Sequence, residues 1–122
     1  MTSKNLYFTK DNGNGIYDLI IADVNNICVS EDGSKTYKYW NGYDYDEIDI
    51  TGWEDVTNGL EGRRVIDTSL LVDRFNELYK LKDGTTALIT VLYDNPAMMH
   101  IVYMPASIRN MNEAISYVTL YL

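Results

Sequence analysis

Cys28 and His100 are the residues from which this 122-residue chain could build a nucleophile–base pair. The chemistry would need them within hydrogen-bond reach, with a third group orienting the imidazole. Both fall in apolar runs, I-C-V and M-H-I, and no Gly-x-Ser-x-Gly elbow accompanies them. Two packed strand side chains are the expectation, and no catalytic residue is assigned. One Cys with one His also leaves the usual four-ligand zinc sites without donors.

Oxygen donors are more plentiful. Asp11-Asn12-Gly13-Asn14-Gly15 and the set Asp44, Asp46, Glu47 and Asp49 could in principle surround calcium. The first, however, puts glycines where an EF-hand loop has its third and fifth ligands, and the second lacks the sharp glycine turn. They are read as a turn and a solvated strand, and neither a metal nor a cofactor is expected. Gly59-Leu60-Glu61-Gly62-Arg63-Arg64 has the glycines of a phosphate loop without its Lys-Ser/Thr ending. Its two arginines are expected in solvent or paired with acids. Glycoside hydrolysis would need two carboxyls about 5 to 9.5 Å apart in a cleft, and short meandering strands offer little depth for one.

The most informative stretch concerns binding rather than chemistry. From Tyr37 to Asp55 the chain reads Y-K-Y-W-N-G-Y-D-Y-D-E-I-D-I-T-G-W-E-D, with six aromatics, six carboxylates and Lys38 as its one base. Large aromatics anchor protein interfaces, and surrounding carboxylates speed encounter with a basic partner. Net charge is -8, and residues 1–58 carry eleven acids against four bases. That balance opposes direct contact with nucleic acid or anionic membranes, which require positive charge.

These residues must be positioned by short strands. Asn5–Lys10, Ile16–Ala22 and Ile27–Ser30 are apolar runs separated by Asn, Asp and Gly clusters, the pattern of a meander. Asn41-Gly42 predicts a two-residue type I′ hairpin, pairing Trp40 with Tyr43, Tyr39 with Asp44, Lys38 with Tyr45 and Tyr37 with Asp46. One face then carries Lys38, Trp40, Tyr43 and Tyr45, with the three aromatics assigned to the core. The other carries Tyr37, Tyr39, Asp44 and Asp46. Thr51–Gly62 reads as a loop. Leu71, Phe75 and Leu78 recur at helical spacing, with Asp67 or Thr68 as cap and Lys80, Lys82 and Gly84 as the end, which predicts a helix over about 68–81. Thr86–Tyr93 and Met98–Met104 read as a hairpin around Asp94-Asn95-Pro96. Asn110 and Glu113 have capping-box spacing before a stripe of Met111, Ile115, Val118 and Leu122, a second helix.

The fold class expected is α+β: one domain over residues 1–122, with an antiparallel sheet of five to seven short strands and two helices. No secretory signal is visible at the start, and no apolar run approaches the ~18 residues of a membrane span. A single cysteine fits a reducing compartment, so the expected location is cytoplasmic. The apolar ending Y-V-T-L-Y-L offers a contact between copies unless it is packed.

Size, acidity and lack of catalytic motifs give this chain a general character that resembles anti-CRISPR and antirestriction inhibitors of phages and mobile elements, and immunity proteins that neutralise nuclease toxins. The resemblance rests on no residue motif and transfers no functional residue. It implies a non-enzymatic inhibitor that occupies the positive groove of a basic protein, such as a nuclease or other nucleic-acid-binding protein. The partner-binding residues expected are Tyr37, Tyr39, Asp44, Asp46, Glu47, Asp49, Glu54 and Asp55. The alternative is a carbohydrate-binding module using Trp40, Tyr43, Tyr45 and Trp53.

Overall fold

A computed structural model describes residues 4–70, 74–92 and 95–121. In chain order these form β1 (Asn5–Asp11), β2 (Tyr17–Asp23), β3 (Ile27–Val29), β4 (Lys35–Trp40), β5 (Tyr45–Asp49), β6 (Glu54–Asp55), α1 (Thr57–Leu60), β7 (Arg64–Leu70), β8 (Arg74–Lys80), β9 (Thr86–Leu92), β10 (Asn95–Met104) and α2 (Met111–Tyr121). A large antiparallel sheet has the order β6-β1-β2-β10-β9-β8-β7, and a small one the order β3-β4-β5. The class is α+β as expected, with more strands than foreseen. No helix among the described residues is long and apolar enough to cross a membrane.

The segment Asp11–Gly15 is the turn between β1 and β2. Asp11 Oδ1 accepts from Gly13 N at 2.7 Å and Asn14 Oδ1 from Ile16 N at 3.1 Å, so these oxygens serve the backbone. Gly13 and Gly15 supply positive φ of 81° and 85°, which glycine adopts at little cost.

Among the described residues the helix expected at 68–81 is absent: residues 68–70 end β7, residues 74–80 form β8, and 71–73, with Leu71 of the expected stripe, lie outside the described residues. The physical reason lies in burial on both sides of the sheet. In β8, Leu78 faces one core and Tyr79 the other, so apolar residues occupy both parities of the strand. Phe75 and Leu78 then imitate helical spacing while lying on opposite faces. A strand covered on both sides loses the alternation that normally identifies it. The loop expected over Thr51–Gly62 likewise contains β6 and the single turn α1.

The large sheet curls. Residues 56–63 leave the β6 edge, where Val56 N donates to Tyr7 O and Tyr7 N donates to Thr57 Oγ1, and run to the start of β7 at the opposite edge. Within this bridge Leu60, 1% exposed, enters a core with Leu19, Tyr79, Leu81, Ala87, Ile89 and Ile101. The other side of the large sheet is covered twice. α2 packs Met111 and Ala114 on Leu78, Leu88, Val102 and Met104. The small sheet packs Ile27, Tyr37 and Ile48, with the following Ile50, on Phe8, Ile20 and Ala22.

α2 starts where capping spacing predicted. Asn110 Oδ1 accepts from Glu113 N at 3.0 Å, and Asp67 Oδ2 of β7 accepts from Met111 N at 2.7 Å. Its inward stripe differs: Tyr117 and Val118 join Met111 and Ala114, while Ile115 is 45% exposed. Met111, Ala114, Tyr117 and Val118 are therefore used inside the fold, and Leu122 of the expected stripe lies outside the described residues.

Leu60→Ala should destabilise the protein by about 2–5 kcal/mol, because the bridge cannot collapse onto the space left. Leu70→Ala, at a residue 71% exposed, should stay within about 0.5 kcal/mol of the parent. Urea unfolding of the two variants checks this, and equal losses would contradict the bridging role.

Candidate functional site

The hairpin β4–β5 turns one residue later than Asn41-Gly42 predicts. Trp40 pairs with Tyr45, Tyr39 with Asp46, Lys38 with Glu47, Tyr37 with Ile48 and Thr36 with Asp49. A type I′ turn on Asn41-Gly42 would need positive φ at both residues, but among the described residues no non-glycine has one. Asn41 instead uses its side chain, whose Oδ1 accepts from Tyr43 N at 2.9 Å and Asp44 N at 3.0 Å. Gly42, with φ 104°, becomes the first central residue of a turn closed by Asn41 N donating to Asp44 O.

This two-residue change of register preserves which side chains share a face. What it does not preserve is the expected assignment of inside and outside. Tyr37 points inward, packed beside Ile27 and Ile48 against Phe8, Ile20 and Ala22, and burial pushes its phenol pKa up. Tyr37 is therefore a core residue and not part of an outward surface. Tyr39 lies beyond it on the same side, half-buried, with its ring 5.7 Å from that of Tyr37 and its hydroxyl 3.4 Å from Asp46 Oδ2.

The aromatics assigned to the core are the exposed ones. Trp40 is 58% exposed, Tyr45 59% and Tyr43, at the turn, 92%. The Trp40 and Tyr45 rings meet edge to face, 5.3 Å apart and inclined at 72°. Lys38 Nζ lies 5.1 Å from the Tyr45 ring centroid, a cation–π contact that leaves the charge hydrated. Around them are Asp44 at the tip, Glu47 opposite Lys38 and Asp49 opposite Thr36. Hydrogen bonds from the Thr51 side chain and backbone hold the Asp49 carboxyl below its usual pKa, so it stays charged. Asp46 lies at the same end on the reverse face, with Tyr39.

Glu54 and Asp55 do not join this surface. They lie in β6 at the edge of the large sheet, opposite Thr9 and Phe8. There they line a cleft of about 550 Å³ with Asp83, Lys82, Leu60, Leu81 and Tyr103. The Tyr103 phenol is pushed up by burial first, then by Tyr17, Glu54 and Asp83. Asp55 Oδ1 accepts from Thr57 Oγ1 and Thr57 N, and these bonds hold its carboxyl below the usual range. It is thereby tied to Thr57, the first residue of α1.

Cys28 and His100 are in different sheets. Cys28, expected to be packed, is exposed on the small sheet, opposite Thr36. His100 belongs to a row of directly opposed residues across six strands: Lys10, Asp18, His100, Thr90, Asn76 and Ser69. His100 Nε2 lies 3.4 Å from Asp18 Oδ1, which also accepts from Asn12 Nδ2 at 2.9 Å. Thr90 Oγ1 donates to Asn76 Oδ1 at 2.8 Å, and Asn76 Nδ2 to Ser69 Oγ at 3.2 Å. With its proton committed to Asn76, the Thr90 hydroxyl is not activated by the imidazole, and the row reads as a polar seam between the α2 and small-sheet layers. Sequence reasoning missed it because its members are scattered over the whole chain.

Among the described residues, no group of three or more His, Cys, Asp or Glu side chains is arranged to hold a metal ion. Arg63, expected in solvent or paired with an acid, instead stacks between Tyr7 and Tyr79. The signal that could have oriented the hairpin was present in Ile48 and Ile50, which fall on the Tyr37 side of the hairpin and mark it as the inner face. Comparison with protein-family models, with curated proteins and with solved structures gives no match.

The lowered pKa of Asp55 has a definite sign. Its contribution to stability is complete above the unfolded value near 3.8 and is lost as pH falls through the lower folded value. Asp55→Asn, which keeps an acceptor for Thr57, should be less stable than the parent at neutral pH and converge with it as the pH falls below the lowered folded-state value. Urea midpoints across that range check this; a difference independent of pH would contradict it.

Proposed function

We propose that this chain is a small acidic binding protein without a catalytic role, which docks the outer face of β3–β5 on a basic, nucleic-acid-binding protein and covers its positive groove. The observation that carries the reading is the joint exposure of Trp40, Tyr43 and Tyr45 on a sheet whose opposite face is packed on the core. Fixed aromatics of this kind provide contact area at low entropic cost, while Asp44, Asp46, Glu47 and Asp49 supply attraction to a basic surface. The net charge of -8 adds long-range steering and repels nucleic acid itself. The docking surface is then Trp40, Tyr43, Tyr45, Asp44, Glu47 and Asp49, with Asp46 and Tyr39 at its edge, in place of the Tyr37 face expected from the sequence.

The same surface would serve a mobile-element inhibitor and a nuclease immunity protein, since both must meet positive charge. A reducing cytoplasm suits the exposed Cys28 thiol. Carbohydrate recognition is less well supported: Trp53 packs with the Phe8–Ile20 core, and the 72° inclination of Trp40 to Tyr45 gives no coplanar platform for a sugar ring.

Calorimetric titration with a deca-arginine peptide tests the reading. Binding should be saturable, weaken at least tenfold between low and high salt, and weaken about tenfold again in Trp40→Ala/Tyr43→Ala/Tyr45→Ala, which leaves net charge unchanged. Cellohexaose should give no heat. Salt-indifferent binding of cellohexaose, or peptide binding untouched by the triple substitution, would contradict it.

A further inference from the structure

Arg63 presents a separate problem of charge. Its guanidinium carbon lies 4.8 Å from the Tyr7 ring centroid and 4.7 Å from that of Tyr79, so it is held between the two ends of the curled sheet. Nη1 donates to Tyr7 Oη at 2.6 Å and to Leu60 O at 3.3 Å. Nε is enclosed and has no acceptor. Among the described residues no carboxylate forms an ion pair with this guanidinium, and none of the hydrogen bonds they make uses Nη2. A guanidinium keeps its charge at all accessible pH. The two rings recover part of the cost of desolvating it, and the Nε–Nη2 edge is left without a partner in a chain rich in carboxylates.

Arg63 also lines a polar pocket of about 460 Å³ with Lys4, Asn5, Tyr7, Thr57, Glu61 and Gly62. Lys4 and Arg63 against Glu61 make the pocket locally positive by one charge, inside a protein whose total is -8. We propose that this pocket binds a carboxylate group. One negative charge matches the local excess, whereas a phosphate dianion would meet repulsion from the rest of the molecule. A carboxylate oxygen can pair with Nη2, which unlike Nε is not enclosed and which none of the described hydrogen bonds uses. It would meet Nη2 with the exposed Lys4 ammonium at the rim, and the stacked tyrosines keep the guanidinium from turning away. The site is independent of the aromatic surface and stands or falls apart from it.

The experiment follows the Arg63 Nε–H signal in proton–nitrogen correlation spectra while sodium acetate replaces sodium chloride at constant ionic strength, with a parallel titration by phosphate. The expected result is a saturable displacement of the Arg63 signal by acetate, with a weaker response to phosphate. Lys4→Ala should weaken acetate binding roughly twofold or more, and Glu61→Gln should strengthen it by a similar factor. Both substitutions are at exposed residues, so the test does not depend on whether an Arg63 variant folds. An unmoved signal, an equal or stronger response to phosphate, or the same affinity in both variants would overturn the proposal.

Discussion

Ile27, Tyr37, Ile48 and Ile50 pack on Phe8, Ile20 and Ala22, and that contact decides which side of the acidic hairpin meets solvent. Burying each such side chain is worth about 1.5–3 kcal/mol. The reverse orientation would expose them and bury Lys38, Glu47 and Asp49, each charge costing several kcal/mol without a partner. Because strand side chains alternate strictly, no intermediate arrangement exists. Trp40 and Tyr45 are therefore exposed as a consequence of what their neighbours bury, and their exposure needs no separate cause.

A second constraint is the bridge from Val56 to Arg63, which ties opposite edges of the large sheet together and fills the curl with Leu60. The bridge also divides the chemistry of the surface. The cleft lined by Glu54, Asp55 and Asp83 and the pocket holding Lys4 and Arg63 each take residues from it, with opposite predominance of charge. On the other side of the sheet, the row from Lys10 to Ser69 crosses six strands and keeps the α2 and small-sheet cores apart. Asn76, 6% exposed, is acceptable there because Thr90 and Ser69 satisfy its amide.

Local signals in the sequence were legible where a local cause determines the structure. Asp11–Gly15 turns because its own side chains and glycines suffice, and α2 starts at Asn110 for the same reason. β8 was illegible because a strand buried on both faces carries Phe75, Leu78 and Tyr79 without alternation, and what covers those faces lies far away in sequence. Asn41-Gly42 was half legible: a turn is there, but the Asn41 carboxamide bonds to Tyr43 and Asp44, so Gly42 rather than Asn41 opens it. The candidate surface failed on inside versus outside. Pairing rules gave the two faces correctly, and the choice between them needed the partner core on Phe8 and Ile20, toward which Ile48 and Ile50 pointed.

The face of β4–β5 carrying Trp40 and Tyr45 is turned to solvent and the Tyr37 face to the core. Proton relaxation induced by a soluble, uncharged gadolinium chelate measures this directly, side chain by side chain. Enhancement should be strong for the Trp40 and Tyr45 ring protons and weak for Tyr37 and Ile48, with cross-strand contacts between Trp40 and Tyr45. Protection of Trp40 with strong enhancement at Tyr37 would contradict it.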